Sequence, residues 1–290
     1  MQVFMNILIS ASTILLIGLG FSLIYRTVRF FHFAHAIVIT SGAYFAFACH
    51  DWANLSLWLA IPIGILLAAC VGCLIDLVVY RPLRKRDASP LILLLASLGV
   101  YIVLQNTISM IFGDDTKILR IGAVSEGIDL FGAKVTVVQI ATVIVAVTLT
   151  ALIVACLRKA RAGLALRAVA SDERLASISG VPCNLVILVA FSVGSALAAT
   201  AGVLLALSSD MTPTMGMNSL MLAVVAVIVG GETRMYGLVG ASLLLAAAQQ
   251  TVVWQFGARW QDPMAFVVLL AFLLLRPQGA FSGCLRGRSA

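Results

Sequence analysis

Charge is what this 290-residue sequence has least of: Asp, Glu, Lys and Arg make up 11% of it, against 62% hydrophobic residues and a mean hydropathy of +1.10. A soluble domain carries about 25% charged and about 45–50% apolar residues, so a water-exposed fold could not hide this much apolar surface. The sequence also lacks a G-x-x-x-x-G-K-[ST] loop and with it any means of cradling the phosphates of ATP. Metal-ligand pairs are missing too. The six cysteines (Cys49, Cys70, Cys73, Cys156, Cys183, Cys284) are scattered, and the C-x-x-C of Cys70 and Cys73 lies in an apolar run without a second pair nearby. All six read as packing residues. A membrane-embedded hydrolase would need a nucleophile with a base, or paired carboxylates, at membrane depth. His32 and His35 have no such partner, and H-x-x-H alone is weak evidence for a metal. The net charge of +7 does not mark a nucleic-acid binder, because the basic residues form short clusters between apolar runs instead of one face.

Those runs are the sequence's main feature. A helix needs about 20 apolar residues to cross roughly 30 Å of hydrocarbon with its backbone polar groups bonded internally. Runs of about that length cover Val3–Tyr25, Leu57–Tyr80, Pro90–Phe112, Val135–Leu157, Asn184–Leu207, Gly237–Phe256 and Pro263–Leu275. Two shorter ones cover Ala36–Cys49 and Ser219–Gly231. The fold class is therefore all-α: a polytopic transmembrane bundle of about eight or nine segments, one or two of them short or re-entrant. The first run is longer than the h-region of a signal peptide, about 7–15 residues, and no basic n-region precedes it, so it is expected to stay in the mature protein.

Letting all nine segments cross, with the stretch 158–183 in the cytoplasm, separates the basic residues by side. Arg26, Arg29, Arg81, Arg84, Lys85, Arg86, Arg158, Lys159, Arg161, Arg167, Arg174, Arg234, Arg276, Arg286 and Arg288 fall inside; only Lys117, Arg120, Lys134 and Arg259 fall outside. This is the positive-inside pattern, with an external N-terminus and an internal C-terminus. If one short segment failed to cross, every later loop would change sides and the asymmetry would largely vanish, so both cross or neither does. One short segment lies in each half of the chain, the first after His32-Phe33-Ala34-His35 and the second ending at Gly230-Gly231. Interrupted hydrophobic segments in corresponding halves point to a translocation site.

The longest internal loop, Arg158–Pro182, admits a short amphipathic helix in which Leu164, Leu166, Val169 and Leu175 share an apolar stripe while Arg167, Asp172, Glu173 and Arg174 stay polar. Gly180 and Pro182 end it. Two readings stand side by side: a solvated connector with topogenic arginines, or a docking element that offers a helix to the groove of a cytoplasmic partner.

At this loop the sequence resembles the LivH-type permeases of branched-chain amino acid ABC importers. Gly163, Arg167-Ala168, Asp172, Ala176 and Gly180-Val181 are similar to the pattern by which that family engages its ATPase subunits. Phe33-Ala34-His35 resembles the family's Asn-Phe-Ala-His-Gly segment, Arg81-Pro82-Leu83-Arg84 its Arg-Pro motif, and Leu104-Gln105-Asn106 its fourth-helix motif. Gly230-Gly231 with Gly237 and Gly240 resembles its glycine-rich turn, and Arg276-Pro277-Gln278-Gly279 its terminal motif. Each motif is short; their order and spacing carry the resemblance over nearly the whole chain. His32 and Ala36 stand where the family has Asn and Gly, and Glu232-Thr233-Arg234-Met235 occupies a turn that is Gly/Ser-rich elsewhere.

The resemblance implies a single permease domain over residues 1–290 with a coupling loop at about 158–183, in a bacterial inner membrane. Its partners would be ATP-binding cassette subunits, a second related permease and a periplasmic solute-binding protein. No cofactor is implied. The cargo would be branched-chain amino acids, with urea, amides or other amino acids as the alternative. A stand-alone channel or secondary carrier is the competing class, but an ion-driven carrier would place charges at mid-membrane depth. Here the deep segments are almost uncharged, and Asp76 lies near an inner end beside Arg81. The candidate substrate path comprises His35, Gln105, Asn106, Gly230 and Gly231. Gln249 and Gln250 read as interhelical glue, and the ladder Gly194, Ala198, Gly202 as a close helix contact, in this chain or with a second subunit.

Overall fold

The computed structural model describes residues 1–119, 127–130, 133–231 and 235–275. Arg120, the Glu232–Arg234 part of the turn and the Arg276–Gly279 motif lie outside the described residues, as does Cys284.

The apolar runs become helices close to their expected bounds: α1 (Gln2–Val28), α2 (His35–Asp51), α3 (Leu57–Ile75), α4 (Arg81–Lys85), α5 (Pro90–Phe112) and α6 (Val137–Lys159). Two short helices, α7 (Arg161–Ser171) and α8 (Glu173–Ile178), precede α9 (Cys183–Ser208), α10 (Met215–Gly230), α11 (Met235–Phe256) and α12 (Gln261–Leu275). α3 does not stop where the run stops. A π-helical turn, Asp76–Tyr80, joins it to α4, and the rod continues to Lys85. Where the sequence places the next helix start at Val135, the structure has a small antiparallel hairpin, β1 (Gly127–Leu130) and β2 (Ala133–Thr136). α6 begins two residues later because Thr136 and Gln139 form a capping box, each side chain bonding the other's backbone N–H.

Contacts between distant loops fix two faces. At one, Gln2 bonds the backbone of Lys134 in both directions, Lys117 and Met211 form an isolated β-bridge, and Trp52 stacks on Phe112 with ring centroids 4.8 Å apart. At the other, Arg29 reaches Ala170 and Ser171, and the Arg158 guanidinium lies 5.0 Å from the Tyr236 ring centroid. Both short segments run between these faces. α2 has 17 residues and α10 has 16, about 25 Å of helix each. Nine passes thus connect the two faces among the described residues, and neither short segment turns back. All four tryptophans, Trp52, Trp58, Trp254 and Trp260, sit at the first face, as an interfacial aromatic belt requires. The protein is a multi-pass membrane protein, and its arginine-rich face is the one that the positive-inside pattern predicts to be the inner face.

α1, α2 and α9 form the buried centre, whereas α3, α5, α6 and α12 turn large apolar side chains outward to lipid. Lipid is as apolar as leucine, so helix contact is favoured by close packing and not by leaving water. The ladder of small residues provides that packing within this chain. Gly194 and Gly20 face each other, and a Cβ on either would lie within 3 Å of the other's carbonyl oxygen. Gly202 faces the Ile39 carbonyl, and Gly42 meets Ala199. Gln249 and Gln250 act as glue: Gln249 donates to the Gln261 carbonyl at 3.1 Å, and Gln250 to the Ser10 hydroxyl at 3.0 Å. The five described cysteines are all free. Asp76 pairs with Arg84 at 2.7 Å, not with Arg81, because the π turn rotates α4 and swings Arg84 back over the carboxylate.

Replacing Gly202 by Val should force α2 and α9 apart and cost about 1–3 kcal/mol. Gly99→Ala, where nothing lies within 4 Å, should cost nothing comparable. Thermal unfolding of the purified variants measures the difference.

Candidate functional site

Of the six non-helical residues that link α1 to α2, Phe30, His32 and Ala34 are buried and Phe31 and Phe33 half-buried in the bundle, which lipid would not permit unless protein satisfied their backbone. Ser97 of α5 does so. Its hydroxyl accepts from the Phe33 N–H at 3.1 Å and lies 3.2 Å from the Phe31 carbonyl. His32, fully buried, has its Nδ1 2.9 Å from the Tyr80 hydroxyl on the π turn, and its ring lies 5.2 Å from Phe191 of α9 and 5.8 Å from His35. π turns occur where a helix must present a side chain out of register, and this one brings Tyr80 under the connector. His35 packs edge-on against Phe21, in room left by Gly20.

Arg29 starts this connector in a left-handed conformation, φ 53°, which few non-glycine residues adopt. The conformation ends α1 and turns the side chain toward α7. One guanidinium nitrogen donates to the Ala170 and Ser171 carbonyls, both at 2.8 Å. These are C-terminal carbonyls with no intrahelical donor, at the negative end of the helix dipole, so a cation is well placed there.

α7 and α8 form an elbow, not one helix. Asp172 breaks out of helical geometry and caps α8, its carboxylate accepting from the Leu175 N–H at 3.0 Å. The inner side of the elbow buries Gly163, Leu166, Val169 and Ala176. Leu164 and Leu175, expected in the same stripe, are instead 63% and 64% exposed, because the break at Asp172 rotates α8 and Leu164 falls on the opposite side of α7 from Leu166. Gly163 sits where α7 crosses the end of α6; a Cβ there would collide with Cys156 and Leu157. Gly180 has φ +83° and closes α8, with the Val181 N–H donating to the Ala176 carbonyl at 3.0 Å. Arg167 is exposed and Ala168 half-buried beside it.

The residues expected on a substrate path occupy three different environments. His35 is in the core. Asn106 lies on the outer surface of α5 and donates to its own helix at the Ile102 carbonyl, 2.7 Å, while Gln105 is half-buried and 3.3 Å from the Ser109 hydroxyl. Gly230 packs closely on Gly237 where α10 meets α11, and Gly231 ends α10 at φ 82°. The structure does not gather them into one cavity of this chain.

The model of a family described as the branched-chain amino acid transport system permease component matches residues 3–274. The chain belongs to this family. High-affinity branched-chain amino acid transport system permease protein BraD of Pseudomonas aeruginosa is 30% identical to it, over 96% of this chain and 94% of BraD. The permease protein LivH of the corresponding system in Salmonella typhimurium is 31% identical over 92% and 91%, and LivH of Escherichia coli is 30% identical over the same shares. Among solved structures, PsaBC from Streptococcus pneumoniae in complex with Fab matches with a TM-score of 0.51 and 14% identity, covering 97% of this chain and 94% of that one, which shows a common fold. The chain is thus an ABC permease component and not an enzyme.

In this permease the sequence pointed to the elbow but missed its latch. Arg29 counts as one topogenic arginine among many, and nothing local announces that a residue 141 positions away receives its side chain. Tyr80 and Ser97 were missed for the same reason.

Arg29→Ala should loosen the end of α7. The two bonds are exposed, so the loss is on the order of 1 kcal/mol, or about fivefold faster amide exchange at residues 165–172. Arg29→Lys should restore little, because an ammonium lacks the planar fork of donors. Hydrogen–deuterium exchange reads both.

Proposed function

We propose that the chain, acting over residues 1–290 as one permease domain, is the membrane subunit of an ATP-driven importer in a bacterial inner membrane. The cargo is the branched-chain amino acids, handed over by a periplasmic solute-binding protein. ATP-binding cassette subunits dock on the coupling loop, residues 158–183, and a second related permease pairs with this one. The names of the relatives support the cargo and the family supports the motor. What carries the docking reading is the elbow. Its inner side is anchored to the bundle by Arg29 and by Leu166 and Val169, and its outer side offers Leu164, Leu175 and Ile178 among Arg167 and Arg174. An exposed Ile178, 84% accessible at the cytoplasmic end, fits a helix offered to a partner's groove better than a solvated connector.

Pairing is supported by α5. Its outward face carries Gly99, Asn106 and Thr107 among apolar residues, and an amide facing hydrocarbon is costly unless a partner covers it. On this reading Asn106, with Gln105 beside it, belongs to a path between two permease subunits. Gly163, Arg167, Ala168, Asp172, Ala176 and Gly180 then shape the elbow that the ATPase pushes. His35, Gly230 and Gly231 serve the path from within the bundle, by holding the inner ends of α2 and α10.

Arg167→Glu should abolish ATP-dependent uptake of radiolabelled leucine, at least tenfold, while membrane insertion and the unfolding midpoint stay unchanged. Uptake that persists in a strain lacking the associated ATPase would instead make the chain a stand-alone channel or carrier.

A further inference from the structure

Beneath the elbow, residues of α1, α6, α7 and α9 line an apolar cavity of about 310 Å³. Ile153, Val189 and Val193 wall its deep part, and Arg161 and Pro182 stand at its mouth. It is open on one side. Leu185 and Val189, both lining it, are 60% and 41% exposed on the outer surface of α9. From Pro182 to Val193 is eleven residues of α9, about 16 Å of rise. That is half of a hydrocarbon core of about 30 Å, so the groove spans the depth of one leaflet.

The mouth has one chemical character. Arg161 is exposed and makes no hydrogen bond or ion pair among the described residues, and no Asp or Glu lines the cavity. The first turn of α7 also lines it, through Arg161, Ala162 and Gly163, whose backbone N–H groups precede the first intrahelical bond, Leu164 to Ala160. A basic side chain and free amides at the headgroup level, above a dry groove of leaflet depth, match a phospholipid more closely than a soluble ligand. Basic pockets between transmembrane helices on the cytoplasmic side suit anionic headgroups.

We propose that this groove is a binding site for a phospholipid with an anionic headgroup, one acyl chain lying between α6 and α9 and the phosphate resting at Arg161. The site fills the gap under the elbow and stands whether or not α7 couples to an ATPase.

The test uses the full chain in phosphatidylcholine nanodiscs doped with a phosphatidylglycerol, or in parallel a phosphatidylcholine, carrying a diazirine in one acyl chain. Cross-links are mapped by mass spectrometry. Peptides spanning 153–166 and 185–193 should be labelled about fivefold more by the glycerol probe. Arg161→Gln should bring the two probes level while labelling persists. Val189→Phe, which fills the groove from an exposed position, should remove labelling by both. Equal labelling of the unaltered protein by the two headgroups rejects an anionic site, and labelling that survives Val189→Phe places the lipid elsewhere.

Discussion

The close approach of α9 to α1 and α2 is the constraint on which the rest of the molecule depends. Gly20 against Gly194, Gly42 against Ala199 and Gly202 against the Ile39 carbonyl leave no space for a methyl group at any of the three glycine pairings. In lipid there is no hydrophobic gain from bringing helices together, so dispersion between surfaces in contact must do it. That contact fixes the angle at which α1 reaches the inner face, and so where Arg29 and the connector after it lie. The elbow inherits its position from there, through two bonds to carbonyls that would otherwise lack donors.

Buried polar groups tell the same story. A non-helical connector in the membrane is tolerable only if each backbone group finds a partner, and Ser97 supplies one on a helix otherwise loosely attached to the bundle. The His32 Nδ1 and the Tyr80 hydroxyl satisfy each other, and the π turn that makes this possible also sets the Asp76–Arg84 pair. Local irregularities at Arg29 and Asp76–Tyr80 thus share one cause, each breaking regular helix so that a side chain can serve a distant segment, whereas the break at Asp172 serves the next helix, whose Leu175 N–H it caps. Their clustering at the inner end of the bundle puts the adaptable part of the structure next to the elbow.

The surface divides along similar lines. α3, α6 and α12 present leucine, valine and isoleucine as lipid demands, whereas α5 presents Asn106 and Thr107 and the elbow presents Leu175 and Ile178 to water. Each is misplaced for the solvent it faces. On the proposed function these two surfaces are where a second permease and an ATP-binding subunit would sit.

The fold was legible in the sequence because it follows from averages, apolar runs of spanning length, and the expected orientation rests on a similar average, arginines held back on one side by the energetics of insertion. Those arguments need no knowledge of which helix faces touch, and they placed the apolar helices within a few residues while leaving eight or nine passes open. The β-hairpin before α6, the π turn and the break at Asp172 escaped, because each depends on particular bonds, to a paired strand, to His32 and to the Leu175 N–H, and not on a period. The elbow's place was legible and its faces were not, since Leu164 and Leu175 are sorted by a break that hydrophobic spacing cannot register. Only tertiary structure could assign Arg29 to the end of α7, His35 to the core and Asn106 to an open face, and only it could reveal the gap under α7. Each is a relation between segments far apart in the chain, and a sequence records the segments but not their contacts.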